Sequence, residues 1–230
     1  MGNVSTTSDG PGRSEAEAMI AEAKKALWVM VGLLAVMWAV QIFNSLDDYG
    51  LSNEFGIDAR EPSSLPEIFS APFLHFNWDH IEANSGPLFV FGFLAAYRGV
   101  KKWLAVSVLI VIASGLGVWF IAPADSVTAG ASGLVFGYFG YIIVRGLFDR
   151  HAIDIVIGLV MALCFAYQFS SLLPSAEQVS WQGHMFGFAG GIIGGWLFRD
   201  RRRKAVSATD APPSLMDPAT TLLPKDPSGL

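Results

Sequence analysis

Apolar residues in this chain fall in long stretches rather than in single amphipathic stripes. Two stretches, 26–43 and 103–121, are almost free of polar residues. A helix needs about 20 apolar residues to cross a bilayer, so each reads as a transmembrane span. Four further stretches are shorter or interrupted. Residues 78–97 contain His80, Glu82 and Asn84. Residues 129–144 open on Gly-Ala-Ser-Gly. Residues 153–169 carry Asp154 near their start, and 183–198 contain His184. The pattern predicts six spans in an all-α membrane protein.

The basic residues support that count. Lys24 and Lys25 precede the first span. Arg98, Lys101 and Lys102 lie between spans two and three, and Arg145 and Arg150 between four and five. Arg199, Arg201, Arg202, Arg203 and Lys204 follow span six. The other connections are acidic: Asp47, Asp48, Glu54, Asp58, Glu61 and Glu67 in the first loop, Asp125 in the third, Glu177 in the fifth. This alternation follows the positive-inside rule and predicts cytoplasmic N- and C-termini. The chain then divides into a cytoplasmic segment 1–25, a membrane domain 26–200, and a basic anchor with a disordered tail over 201–230. Pro212, Pro213, Pro218, Pro224 and Pro227 mark that tail as unable to pack. The first loop, between residues 46 and 73, mixes apolar, acidic and proline residues and is expected to fold onto the membrane surface.

Composition agrees: 52% of residues are hydrophobic and 15% charged, against about 25% charged in a typical soluble domain. No basic surface interleaved with aromatics suggests a nucleic-acid partner. The first span is longer than a signal-peptide core and lacks a small-residue cleavage site, so it reads as retained. Cys164 stands alone and forms no internal disulfide. It reads as a small buried hydrophobe.

Topology brings the polar residues together. Spans two, four and six run in the same direction, and each carries its polar residues near its start. His80, Asn84, Ser132 and His184 therefore lie at one depth. Asn84 is about 9 Å along the helix from Trp78, inside the hydrocarbon edge yet shallow enough for a watered pocket. Ionisable groups there are costly and face a cavity or each other. Gly133 and Gly137 on span four, and Gly183, Gly187, Gly191 and Gly195 on span six, permit close helix crossing. That crossing sets Ser132 near His184. A serine becomes a nucleophile when a base takes its proton, and His184 is the candidate base. No carboxylate lies at that depth on either span, so a dyad is expected. Asn84, His80 and the Ser132 amide are candidate oxyanion donors.

These residues carry a resemblance. Gly130-Ala131-Ser132-Gly133 resembles the GxSG motif of rhomboid intramembrane serine proteases. Gly183-His184-Met185-Phe186-Gly187 resembles the family's sixth-helix histidine motif. His75-Phe-Asn-Trp-Asp-His80-Ile-Glu-Ala-Asn84 resembles its second-helix pattern. The similarity covers residues 27–198. It implies a six-helix rhomboid-like bundle in which Ser132 is the nucleophile and His184 the base. Asn84, His80 and Ser132 form the oxyanion hole, and Gly130, Gly133, Phe136 and Gly187 support the site. It implies cleavage of transmembrane segments of other proteins near the outer face, in a bacterial inner membrane, with no metal or cofactor. There are departures. Phe136 stands where many bacterial members have tyrosine. The first loop lacks the family's Trp-Arg pair. Glu82 has no assigned role.

Other readings compete with each residue. Ser132 could serve only as a helix N-cap, and His184 only as an interhelical hydrogen-bond partner. His80 could bind a metal with His75 or His184, although no cluster completes a site. His75 is expected at the membrane edge without chemistry. A rhomboid-like pseudoprotease would bind transmembrane clients without cutting them. A small transporter would need ionisable groups through the full depth of the bilayer.

Overall fold

A computed structural model describes residues 11–174 and 180–200. Helix α1 runs Pro11–Leu46 and is followed by a short α2, Gly50–Glu54. Strand β1 (Ile57–Asp58) and two 3-10 segments, Pro62–Ile68 and Ala71–Phe73, lead into α3, Trp78–Ala96. Then come α4 (Val100–Ile121), β2 (Val127–Thr128), α5 (Ser132–Asp149) and α6 (Ala152–Cys164). A third 3-10 segment, Ala166–Leu172, precedes α7, Trp181–Leu197. Helices α1, α3, α4, α5, α6 and α7 correspond to the six expected spans, and the fold is that of an all-α membrane protein.

Helix α5 is the hub. Residues Gly133 to Ile142 are buried without interruption, as in a helix surrounded on all sides. Helices α3, α4, α6 and α7 all contact it. The peripheral helices are one-sided. Helix α1 buries Ala26, Met30 and Met37 but exposes Trp28, Phe43 and Leu46. Helix α6 buries Asp154 and Gly158 and exposes Ile153, Val156, Leu159 and Leu163. Exposed large apolar side chains are the expected surface where the solvent is lipid. By length and apolarity alone, two helices suffice to cross a membrane, within Glu15–Leu46 and Val100–Ile121. A third qualifies if α6 and the following 3-10 segment count as one bent span. Helices α3, α5 and α7 fall short of that measure. Polar or charged residues interrupt α3 and α5, and glycine-rich α7 has 17 residues.

Glycine explains the tight α5–α7 crossing. A Cβ added at Gly187 or Gly191 would run into the carbonyl oxygens of Gly133 and Gly137. The helices meet backbone to backbone, a packing mode that small residues make possible in membranes.

Four expectations need amendment. Helix α1 begins 15 residues before the apolar stretch, at Pro11 rather than Ala26. Ala, Glu and Lys are strong helix formers, and proline suits the first helical position. The fifth span is not one helix. It bends by 70° after Cys164, where Phe165 packs edge-on against Phe91 at 4.8 Å and Phe169 reaches Phe139 at 5.4 Å. These ring contacts turn the chain back over the bundle. Cys164 is exposed rather than buried, because it falls on the outward side of α6. Arg145 is not a loop residue. It is buried within α5, donates to Asp154 at 2.7 Å and to the Leu94 carbonyl at 3.2 Å. Arg98 bonds the other Asp154 oxygen.

The first loop folds compactly, with a mixed surface. Ile57, Ala59, Ile68 and Ala71 pack with Val118 and Ala122 of the α4 end, while Phe55, Leu65 and Phe69 stay exposed. Strand β1 pairs antiparallel with β2, Ile57 opposite Thr128 and Asp58 opposite Val127. This pairing ties the first loop to the segment that leads into Ser132. Glu177, the basic run from Arg201 and the proline-rich tail lie outside the described residues.

Candidate active site

The starts of α3, α5 and α7 meet at one end of the bundle, and a cavity of about 890 Å³ opens there. Ser132, His184, His80, Asn84, Gly130 and Phe136 all line it. The structure therefore brings the nucleophile, base and oxyanion candidates into one space. Gly133 also lines the cavity, and Gly187 lies behind it at the helix crossing.

Ser132 is the first residue of α5, and Ala131 occupies the N-cap position. The Ser132 hydroxyl is therefore not the cap. Among the described residues it has no hydrogen-bond partner. The first amides of a helix lack intrahelical acceptors and carry the positive end of its dipole. Ser132 thus sits where negative charge is best tolerated. Gly130 just before it has φ +138°, a conformation L side chains rarely adopt. A Cβ at Gly130 would also lie 2.7 Å from His80 Cε1 and 2.8 Å from its Nε2. Only glycine lets the His80 ring come this close to the serine loop.

His184 is 6% exposed. Its Nδ1 lies 2.9 Å from the Ser171 carbonyl oxygen. A carbonyl can only accept, so Nδ1 carries hydrogen and, in the neutral ring, Nε2 keeps its lone pair. Phe136 stacks on the ring, with centroids 4.1 Å apart and planes 19° apart. Two contacts thus fix the imidazole, one at its edge and one on its face. No hydrogen bond joins Ser132 to His184 among the described residues. Such bonds are often long before substrate binds.

Asn84 is 7% exposed, and its Nδ2 donates to the His80 carbonyl at 3.0 Å. That uses one of its two N–H groups and leaves the other available. The backbone N–H of His80 is capped by Asn77 Oδ1 at 2.7 Å. Glu82 is exposed, on the side of α3 away from Asn84. Among the described residues, no group of three or more His, Cys, Asp or Glu is placed to hold a metal ion. A metal site at His80 with His75 or His184 would lack a third protein ligand of these types.

Two features escape a sequence reading. The Ser171 contact is made by a backbone carbonyl, which no side-chain pattern announces. His75, expected at the membrane edge without chemistry, contacts the loop that delivers Ser132. It is fully buried, and its Nε2 accepts the Ala131 N–H at 3.3 Å. Its spacing before His80 was the available signal.

A helical membrane bundle with a serine at one helix start, and a histidine facing the same cavity from a glycine-packed neighbour, defines a narrow class. The chain matches the Rhomboid domain family model over residues 62–201. It belongs to the rhomboid family. It is 35% identical over 197 residues to an uncharacterized protein of Mycobacterium tuberculosis, covering 79% of this chain and 81% of that one. An uncharacterized Mycobacterium leprae protein is 31% identical over 203 residues, or 82% and 79% of the two chains. Rhomboid-like protein 11, chloroplastic, of Arabidopsis thaliana is 28% identical over 144 residues, or 57% and 51%.

Proposed function

We propose that this protein is an intramembrane serine endopeptidase that cuts transmembrane segments of other membrane proteins. Ser132 attacks the scissile carbonyl, and His184 Nε2 takes its proton and returns it to the leaving amine. The Asn84 amide, His80 and the Ser132 N–H hold the oxyanion. The mechanism needs no metal or cofactor. One observation carries the reading. Ser132 and His184 line one cavity, and the bond from His184 Nδ1 to Ser171 leaves the ring's other nitrogen as an acceptor. That is the tautomer a general base requires.

The orientation belongs to the same proposal. The Lys/Arg distribution supports cytoplasmic termini, with the cavity near the outer face, and the membrane of this proposal is a bacterial inner membrane. The partners are then transmembrane substrates and the bilayer, not nucleic acid.

The test is cleavage by the purified protein in proteoliposomes, with a fluorescently labelled single-span substrate. Wild type should cut it, and Ser132→Ala should not. Binding of the substrate without cleavage by wild type would make the protein a pseudoprotease that holds transmembrane clients.

A further inference from the structure

The segment that delivers Ser132 is short and lies between β2 and α5. Both amides just before Ser132 have partners. The Gly130 N–H donates to the Ala71 carbonyl at 2.9 Å. The Ala131 N–H donates to His75 Nε2 at 3.3 Å. The Ser132 amide is therefore the next in line, with no acceptor from the preceding chain.

The Ala131 bond fixes a peptide that would otherwise be free to turn. The peptide between Gly130 and Ala131 follows a glycine at φ +138°. Glycine has no Cβ to restrict rotation about its flanking bonds. A peptide flip there would redirect the Ala131 N–H and disturb the entry into α5. An acceptor held against that N–H removes this freedom.

His75 is itself held firmly. Its own carbonyl accepts from Asn44 Nδ2 of α1 at 2.9 Å and from Ser52 Oγ of α2 at 3.1 Å. Asn44, Ser52 and His75 are all fully buried. The His75 ring stands edge-on to His80, with centroids 4.9 Å apart and planes at 78°, and the His80 ring covers Gly130. Because Nε2 accepts from Ala131, the ring hydrogen is on Nδ1. That Nδ1 is buried with no protein partner among the described residues. A buried donor left unpaired is costly, so the ring orientation follows the Ala131 bond rather than its own best hydrogen bonding.

We propose that His75 is a positioning residue for the serine chemistry. Its imidazole acts as an acceptor that locks the Gly130–Ala131 peptide, so that the Ser132 amide and hydroxyl face the cavity together. Helices α1 and α2 brace it through Asn44 and Ser52. The inference rests on the protease reading for its kinetic consequence, but not for its structural one.

The test compares His75→Gln with His75→Asn in the full chain, in proteoliposomes. The glutamine amide reaches the place of the imidazole Nε2, and the shorter asparagine amide stops near Nδ1. Both are polar and of similar bulk, so a packing role would not separate them. Two readouts are taken: hydrogen exchange of the peptide spanning Ala131, and kcat and KM on the single-span substrate. The expected result is near-native protection at Ala131 and most of the wild-type kcat in His75→Gln. His75→Asn should lose protection and about 10–100-fold in kcat, with KM nearly unchanged, since small misplacements cost rate in this range. Equal behaviour of the two variants, whether both native-like or both impaired, overturns the proposal. If wild type cleaves nothing, the protease reading fails, and the exchange comparison still decides the role of His75.

Discussion

Where α3, α5 and α7 begin, Ser132, His80, Asn84 and His184 line one cavity, and no ion pair joins any of them among the described residues. At the opposite end, ion pairs join the helices. Asp154 at the start of α6 bonds both Arg145 and Arg98, and Arg145 also reaches the Leu94 carbonyl. Lys102 pairs with Asp200 at 2.6 Å, and the Asp200 N–H donates to Asp149. The first end keeps polar groups available, at a cost in stability. The second end sets a carboxylate against two arginines and ties α3, α5, α6 and α7 together. The ion pairs that hold the helices together are thus set apart from the cavity.

The largest effect that would break this contrast is at the anchor. Asp154→Ala leaves the buried Arg145 without its carboxylate, and breaking a buried pair costs about 3–5 kcal/mol. Unfolding of the purified protein by denaturant should show a loss of that size. The rate per folded molecule should change far less. An unchanged unfolding midpoint would mean that the cluster does not anchor the bundle.

Asn84→Ala acts at the other end, with the opposite signature. A preorganised oxyanion donor is worth about 10²–10³ in rate. The variant should lose turnover by that factor and keep its unfolding midpoint. Normal turnover would reduce Asn84 to a packing residue.

Phe136 has a smaller effect at the cavity end. An aromatic stack contributes about 0.5–1.5 kcal/mol, so Phe136→Ala should slow cleavage by roughly 2–10-fold through a looser His184. Phe136→Tyr keeps the ring and should retain most activity. Parallel loss of stability and rate in Phe136→Ala would make the residue core packing instead.

The two ends also differ in how far the sequence exposed them. The six spans are legible because lipid as solvent demands long apolar stretches, and the glycine spacing points to the α5–α7 contact. Ser132, His80, Asn84 and His184 stand out because polar residues at one depth in apolar helices are rare. The anchor was hidden, because Arg98, Arg145 and Asp154 look like ordinary charges near span ends. Their pairing is a tertiary fact with no local signature. The break after Cys164 was hidden too, since no proline or glycine marks it and ring packing makes it. The Ser171 carbonyl and the His75 acceptor depend on where the backbone runs. Pattern reading cannot reach them until the chain is folded.

Activation of Ser132 by His184 is open to a direct chemical test. A fluorophosphonate probe reacts with such a serine, and mass spectrometry of the digested protein locates the adduct. The expected result is an adduct on Ser132 in wild type, none on that peptide in Ser132→Ala, and labelling that falls sharply in His184→Ala. Labelling of wild type and His184→Ala at the same rate, or an adduct on another residue that persists in Ser132→Ala, would contradict it.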